Sequence, residues 1–304
     1  MTEYIFILLA VGFFTAQFAF TKVFESSVKQ TKITALIMLI ITGLVGTILY
    51  LIIGGFKIQY STVSLVWAVA FAVIMIPYYM IGIKVLSLGS VAIYSMFMML
   101  GGMAVPFFYG IIFLKESVTI CKILGSILLS FFIFLQAISS TNNSPNTENN
   151  KKTKTVFFIL CLLIFFINGM TGVIAKAHQI SKNSVDEISF TVISCFFTSV
   201  LSMLFLLPEL HKKDKPQIKI DFKSAFKLKP LIFIILIGIS NYTGNFLHLL
   251  AANHVPASVQ FPLVSGGVIV LSAIVSAFVF KEKLTKKEWI SIAGAFIATF
   301  LFAF

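Results

Sequence analysis

The sequence predicts an all-α integral membrane protein whose ten transmembrane helices form two inverted five-helix repeats. Three observations point there. Of 304 residues, 59% are hydrophobic and only 11% are charged, whereas soluble domains carry about a quarter charged residues. Nine long windows contain no charged residue at all. A polar linker divides those windows into two sets of similar layout. Glycine and proline, at 18 and 8, are too few for a low-complexity chain, and the low polarity excludes disorder.

In order, the charge-free windows run 4–21, 33–56, 58–83, 85–114, 123–147, 155–175, 188–208, 230–280 and 289–304. About 20 apolar residues cross a hydrocarbon core of roughly 30 Å, so eight windows supply one span each, the last a short one. The 230–280 window is long enough for two, and Asn253-His254-Val255-Pro256 offers a turn in its middle. The first window reads as a span and not as a cleaved signal peptide. Glu3 precedes it, no basic residue does, and its apolar run is longer than a signal peptide needs. The tract 140–154 is polar and of low complexity, and reads as a linker. It separates a first repeat, 1–139, from a second, 155–304. The lysine-rich connection 209–229 reads as the other long loop.

The repeat is visible in short stretches. A shift of 166 positions sets Lys115-Glu116-Ser117-Val118-Thr119 on Lys281-Glu282-Lys283-Leu284-Thr285 and Gly101 on Gly267. In each half this Lys-Glu hinge joins a long span to the last one. Lys22 and Lys176 close comparable helices near the start of each half. An odd number of spans per half requires the halves to lie inverted, a common transporter architecture with a site near the midplane.

These features resemble the drug/metabolite transporter superfamily, specifically its ten-helix EamA-type members. The resemblance rests on the paired hinges Phe113-Leu114-Lys115-Glu116 and Val279-Phe280-Lys281-Glu282, and on Gly125 after the first hinge. In the second half Ser291 holds the position equivalent to Gly125, with Gly294 three residues on. The stretch Ala16-Gln17-Phe18-Ala19-Phe20-Thr21-Lys22 resembles the family's first-helix signature ending in lysine. The chain departs from the family in having no arginine near the start of its second span. The resemblance implies a secondary transporter of small metabolites, with amino acids the leading class and export the favoured direction. It implies no cofactor, and a monomer or homodimer in the membrane.

The formal charge of +12 comes from 23 lysines without a single arginine. Arginine is the usual residue for bidentate phosphate recognition, so a nucleic-acid partner is not expected. A basic excess on so apolar a chain fits anionic membrane lipid. Cys121, Cys161 and Cys195 sit in apolar runs with neither zinc nor disulfide spacing, and read as small core residues. Connections after the odd-numbered spans hold 18 lysines and those after the even-numbered spans hold 5. The positive-inside rule then places both termini outside the cell membrane, whereas most members of the resembled family have cytoplasmic termini.

All eleven carboxylates lie in connections or at span ends. A membrane-embedded glutamate, the group that desolvation would tune for proton exchange with cationic drugs, is therefore missing. What lies mid-span is neutral and polar: Gln17, Tyr78, Tyr79, Tyr94, Ser95, Asn168, Thr171, Asn241, Tyr242, Asn245, His248, Gln260 and Ser265. Such groups are costly in hydrocarbon unless they bond to neighbouring helices or line a wet cavity. Asn241, Asn245 and His248 share one helical face. Gln17, Tyr78, Tyr79, Tyr94, Ser95, Asn168, Asn241, Tyr242, Asn245, His248 and Gln260 form the predicted substrate site. Gly101, Gly102, Pro106, Gly266 and Gly267 are the predicted hinges. His248 is the mid-span group that titrates near neutral pH. Tyr4, Tyr50, Tyr60, Trp67 and Trp289 read as interfacial anchors, and His178, His211 and His254 as solvated or headgroup residues at helix ends.

No metalloprotease, nucleophile-elbow, Walker or dinucleotide-binding motif occurs, so neither an enzyme nor a metal site is expected. Mid-span neutral polar groups fit a neutral or zwitterionic solute. The competing readings are a proton-coupled multidrug exporter and, from other classes, an intramembrane enzyme or a channel.

Overall fold

The computed structural model describes residues 2–29, 31–88, 91–115, 119–141, 151–211, 216–252, 254–281 and 286–301. Among them are eleven helices and no strand: α1 (Thr2–Ser27), α2 (Lys32–Ile53), α3 (Thr62–Leu88), α4 (Val91–Ile112), α5 (Ile120–Thr141), α6 (Lys151–Ile180), α7 (Glu187–Leu210), α8 (Pro216–Ala225), α9 (Leu228–Ala252), α10 (Ala257–Phe278) and α11 (Lys286–Phe300). Each predicted span coincides with a helix, the eighth to tenth spans being α9 to α11. The additional helix, α8, occupies part of the connection that the sequence predicts to be a loop. Six helices contain stretches long and apolar enough to cross a membrane: Thr2–Phe24, Lys32–Ile53, Thr62–Gly82, Val156–Ile180, Glu187–Leu210 and Leu228–Ala251. Among the described residues, α4, α5 and α10 contribute the shorter apolar stretches Gly101–Ile112, Ile120–Phe132 and Val259–Val275. The core of the predicted linker, 142–150, lies outside the described residues.

Local chemistry sets the helix ends. Thr31 and Thr34 cap α2 reciprocally: the Thr31 hydroxyl accepts the Thr34 N–H, and the Thr34 hydroxyl accepts the Thr31 N–H. This satisfies two backbone donors that the first turn leaves without partners. The Asp186 carboxylate does the same for α7, accepting the Ser189 N–H at 2.9 Å. Between α9 and α10 the N–H groups of His254 and Val255 both donate to the Ala251 carbonyl, and Pro256 opens the next helix. The predicted turn is there, although Asn253 itself lies outside the described residues.

The two Lys-Glu hinges share one backbone geometry. Lys115 and Lys281, 166 positions apart, have φ of 53° and 55°, in the left-handed region that L side chains seldom adopt. Before Lys115, the N–H groups of Phe113 and Leu114 both donate to the Tyr109 carbonyl; before Lys281, those of Val279 and Phe280 both donate to Val275. The acceptors are themselves 166 apart. Glu116, Ser117, Val118 and residues 282–285 fall outside the described set.

The chain divides into two compact units: unit 1 comprises 1–15, 84–173 and 247–304, and unit 2 comprises 16–83 and 174–246. Within unit 1, α4 packs on α10 and α5 on α11, and each helix also packs on its chain neighbour. Side chains are absent where backbones cross. A Cβ on Gly101 of α4 would overlap the Phe165 backbone of α6, and one on Gly267 of α10 would come 2.8 Å from Val11 of α1. Within unit 2, α2 packs on α7, and Gly43 leaves room for Ser199 and the Cys195 carbonyl. Without a solvent-driven hydrophobic force between apolar helices in lipid, such close backbone approach is a main source of cohesion.

Candidate functional site

The predicted site residues fall into both units. Gln17, Tyr78, Tyr79, Asn241, Tyr242 and Asn245 belong to unit 2, and Asn168, His248 and Gln260 to unit 1. Tyr94 and Ser95 lie in the first turn of α4, their side chains outside the described set.

In unit 1, His248 occupies the last turn of α9 with two rings edge-on to it: Phe14 at a centroid distance of 6.4 Å and Phe261 at 5.1 Å. The Gln260 side-chain amide donates to the His248 carbonyl. Gln260 is 1% exposed, and its amide group ties the start of α10 back to α9 beside the turn that joins them. Phe261 reaches this position because Gly172 of α6 has no side chain; a Cβ there would meet the Phe261 ring at 2.8 Å and Pro106 at 2.9 Å. Asn168 donates to the Met98 carbonyl at 2.7 Å, tying α6 to α4 across the space left by Gly102. The predicted hinges Gly101, Gly102 and Gly267 therefore sit at contacts of α4 and α10 with other helices of unit 1; Pro106 and Gly266 are buried there as well.

In unit 2, Asn241 and Asn245 bond along their own helix. The Asn245 amide donates to the Asn241 backbone carbonyl at 2.9 Å and to its side-chain oxygen at 2.8 Å. Tyr242, one residue on from Asn241, is locked by packing. Its ring lies against Gly46, and its carbonyl accepts the Tyr50 hydroxyl at 3.0 Å. Tyr78 and Tyr79 meet edge to face at 5.2 Å, and Tyr79 also packs on buried Phe24, Met38, Ile234 and Ile237. The Gln17 backbone carbonyl accepts the Thr21 hydroxyl.

Two sequence expectations need correction. Tyr50 is not an interfacial anchor: it is fully buried, its ring flanked edge-on by Tyr242 and Phe246 and its hydroxyl satisfied inside the unit. Tyr4, Tyr60 and Trp289 are exposed, as anchors would be. His178 is not a solvated residue at a helix end. It is 0% exposed, stacked on Phe190 at 3.8 Å, and paired through Nε2 with the Ser64 hydroxyl at 2.9 Å. The partners that bury it lie on α3 and α7, more than one hundred residues away in the first case, and no local sequence signal announces them. Phe14, Phe261 and Gly172, which shape the surroundings of His248, were likewise hidden in an apolar sequence with 34 phenylalanines.

Among the described residues no group of three metal-ligating side chains converges. A groove of about 280 Å³ runs between α4 and α5, lined by Met103, Phe107, Phe108, Ile127 and two serines. It contains none of the predicted site residues.

Residues 155–304 match the EamA-like transporter family. A solved crystal structure superposes with a TM-score of 0.70 over 98% of this chain and 95% of its own, at 14% identity, a likeness that concerns the fold alone. No curated protein matches the chain.

Proposed function

The chain belongs to the EamA-like transporter family, within the drug/metabolite transporter superfamily, and from that premise we propose that it is a secondary transporter, driven without ATP, which moves a small neutral or zwitterionic metabolite by alternating access. An amino acid leaving the cell is the favoured cargo and direction. The observation that carries this reading is the chemistry of α9: Asn241, Asn245 and His248 on one face of a membrane-length helix, with no carboxylate among them. Neutral donors and acceptors suit a solute whose charges cancel, and a fixed buried charge would be costly to carry through an empty return step.

Ten spans in two inverted repeats, 1–139 and 155–304 joined by the polar linker, form the architecture of this proposal. Three findings support it. The hinges at Lys115 and Lys281 share φ and hydrogen bonding at an offset of 166. Gly101 crosses α6 at Phe165 while Gly267 crosses α1 at Val11, and Phe165 and Val11 differ by 154, the offset that also relates Lys176 to Lys22. Finally, α2 packs on α7, α4 on α10 and α5 on α11, each helix on its own counterpart, as a two-fold axis between repeats demands. On this reading Gly101 and Gly267 are pivots, with Gly102, Pro106 and Gly266 beside them. The lysine distribution favours external termini. A cysteine introduced at Thr2 then reacts with impermeant thiol reagents in intact cells and one at Asn143 only after permeabilisation; the opposite pattern reverses the orientation.

Purified protein in liposomes, screened against labelled amino acids with and without a pH gradient, tests the function. Expected is uptake that follows the substrate gradient and responds weakly to pH. A strong pH response abolished by His248→Gln would favour the proton-coupled reading instead, and transport of no amino acid would remove the proposed cargo. For the site, Asn245→Leu is expected to weaken apparent substrate affinity about 5- to 150-fold, the equivalent of 1–3 kcal/mol for one unpaired polar atom. Its melting temperature should barely move, since membrane-buried hydrogen bonds contribute only about 0.6 kcal/mol on average. Unchanged transport with a lowered melting temperature would make Asn245 a packing residue.

A further inference from the structure

We propose that α8 and the turn after it form a docking face for the headgroups of anionic phospholipids. The connection from Glu209 to Lys229 holds seven lysines against Glu209, Asp214 and Asp221, and it joins two membrane-length stretches that end at Leu210 and begin again at Leu228. Its ends are therefore at headgroup level. The helix is held from one side. Ala225, fully buried, and Phe222 pack on Ile33, Leu36 and Ile37 of α2 and Leu206 of α7. Asp221 is 4% exposed, so one of the three acids is held against the protein.

The other side alternates two chemistries. Ile220, Phe226 and Leu228 are 59%, 48% and 75% exposed, and Lys223, Lys227 and Lys229 are exposed between them. Ile220 and Lys223 follow i, i+3 spacing on α8 and so share a stripe, and Lys227 stands in the turn after the helix. In water that stripe would leave large apolar side chains uncovered; in hydrocarbon it would strand ammonium groups. At the boundary between headgroups and acyl chains both are satisfied, the apolar tips entering the upper acyl region while the lysines reach phosphate. The sign of the charge selects the lipid: three exposed ammonium groups favour a net-negative headgroup over a zwitterionic one, each by about fivefold. Docking α8 against α2 and α7 then links lipid composition to the packing of unit 2.

The test uses the full-length protein in nanodiscs of phosphatidylcholine alone or mixed with phosphatidylglycerol, read by amide hydrogen exchange of the segment 216–229. Expected is exchange at least about fivefold slower in the anionic discs, with the difference lost at high salt and in the triple variant Lys223→Gln, Lys227→Gln, Lys229→Gln. Unchanged exchange of α2 and α7 peptides in that variant shows that the fold persists; if it does not persist, the salt series on the unaltered protein decides alone. Equal exchange in both lipids overturns the proposal. So does protection in phosphatidylcholine discs on adding inorganic phosphate, which would make the face a site for soluble anions.

Discussion

Two corners of unit 2 are both built on apolar clusters, and only one of them adds a polar network. Where α1 ends and α9 begins, Phe24, Val28, Met38, Ile234 and Ile237 close on each other, with Phe20 tilted against Phe233 at 6.1 Å. Where α6 ends and α3 begins, the residue 154 positions after Phe24 is His178. The flat ring is kept, stacked on Phe190, but here the apolar cluster of Ala68, Ile174, Val185, Phe190 and Ile193 is joined by a polar network. Ser64 accepts the Val185 N–H at 2.9 Å and the Ser61 hydroxyl at 3.0 Å. With both lone pairs used, its single hydrogen goes to His178 Nε2. That makes Nε2 an acceptor and leaves the proton on Nδ1, which is buried without a hydrogen-bond partner. Around this centre Trp67 donates to Ser181 at 3.1 Å, and the Gln59 N–H donates to Ser189, whose hydroxyl goes on to Asp186. The apolar corner is held by volume, which can be lost gradually. The His178 corner adds to its apolar cluster a set of directional bonds, each of which either exists or is missing.

That contrast orders three substitutions by their cost. Phe24→Ala is the most damaging, at about 3 kcal/mol for a vacated aromatic volume among residues that cannot collapse into it; a melting curve in detergent should shift down steeply. A drop no larger than that of an exposed-site control would show that the corner relaxes freely. Ser64→Ala comes next, at about 2 kcal/mol, because one hydroxyl serves three neighbours and its loss leaves the buried Val185 N–H unpaired. Amide exchange at Val185 reads this directly, and unaltered protection there would contradict the shared-hydroxyl account. The smallest is His178→Phe, at about 1 kcal/mol: the stack on Phe190 survives and only the Ser64 hydroxyl loses its acceptor. Should His178→Phe prove costlier than Ser64→Ala, the imidazole and not the serine would be the centre of the network.

Sequence reasoning reached the positions of the helices and not the contacts at either corner, and the physical cause is range. Hydrophobic runs and charge gaps are local, so the positions of α1 to α7 and α9 to α11 could be read from windows of about twenty residues. The α9–α10 turn and the two Lys-Glu hinges were legible for the same reason, since proline and short polar breaks act where they stand. The partnership of His178 with Ser64 joins residues 114 apart, and a histidine near a span end looks solvated until its neighbours are known. Tyr50 was misread in the same way, because the slot for its partner Tyr242 depends on Gly46 of another turn. The helix α8 was missed because ten residues are too few to sustain a helix alone, whatever their propensity; contact of Ala225 and Phe222 with α2 and α7 sustains it. At the candidate site, residue types could be named in advance, but not that Gln260 is committed to the His248 carbonyl or the Tyr242 carbonyl to the Tyr50 hydroxyl.

The left-handed lysines have a consequence for biogenesis. Seven residues separate Ile112 from Ile120 and seven separate Phe278 from Lys286, and in each case the reversal starts at a backbone conformation costing about 1–2 kcal/mol for an L residue. So short a tether keeps α5 beside α4 and α11 beside α10, and each does pack on the helix before it as well as on the other. A nascent chain leaving the ribosome would therefore deliver α4 with α5, and later α10 with α11, to the translocon as preformed helical hairpins. Neither α5 nor α11 would have to enter the bilayer alone. The short apolar stretch of α11 would be carried in by its stronger partner.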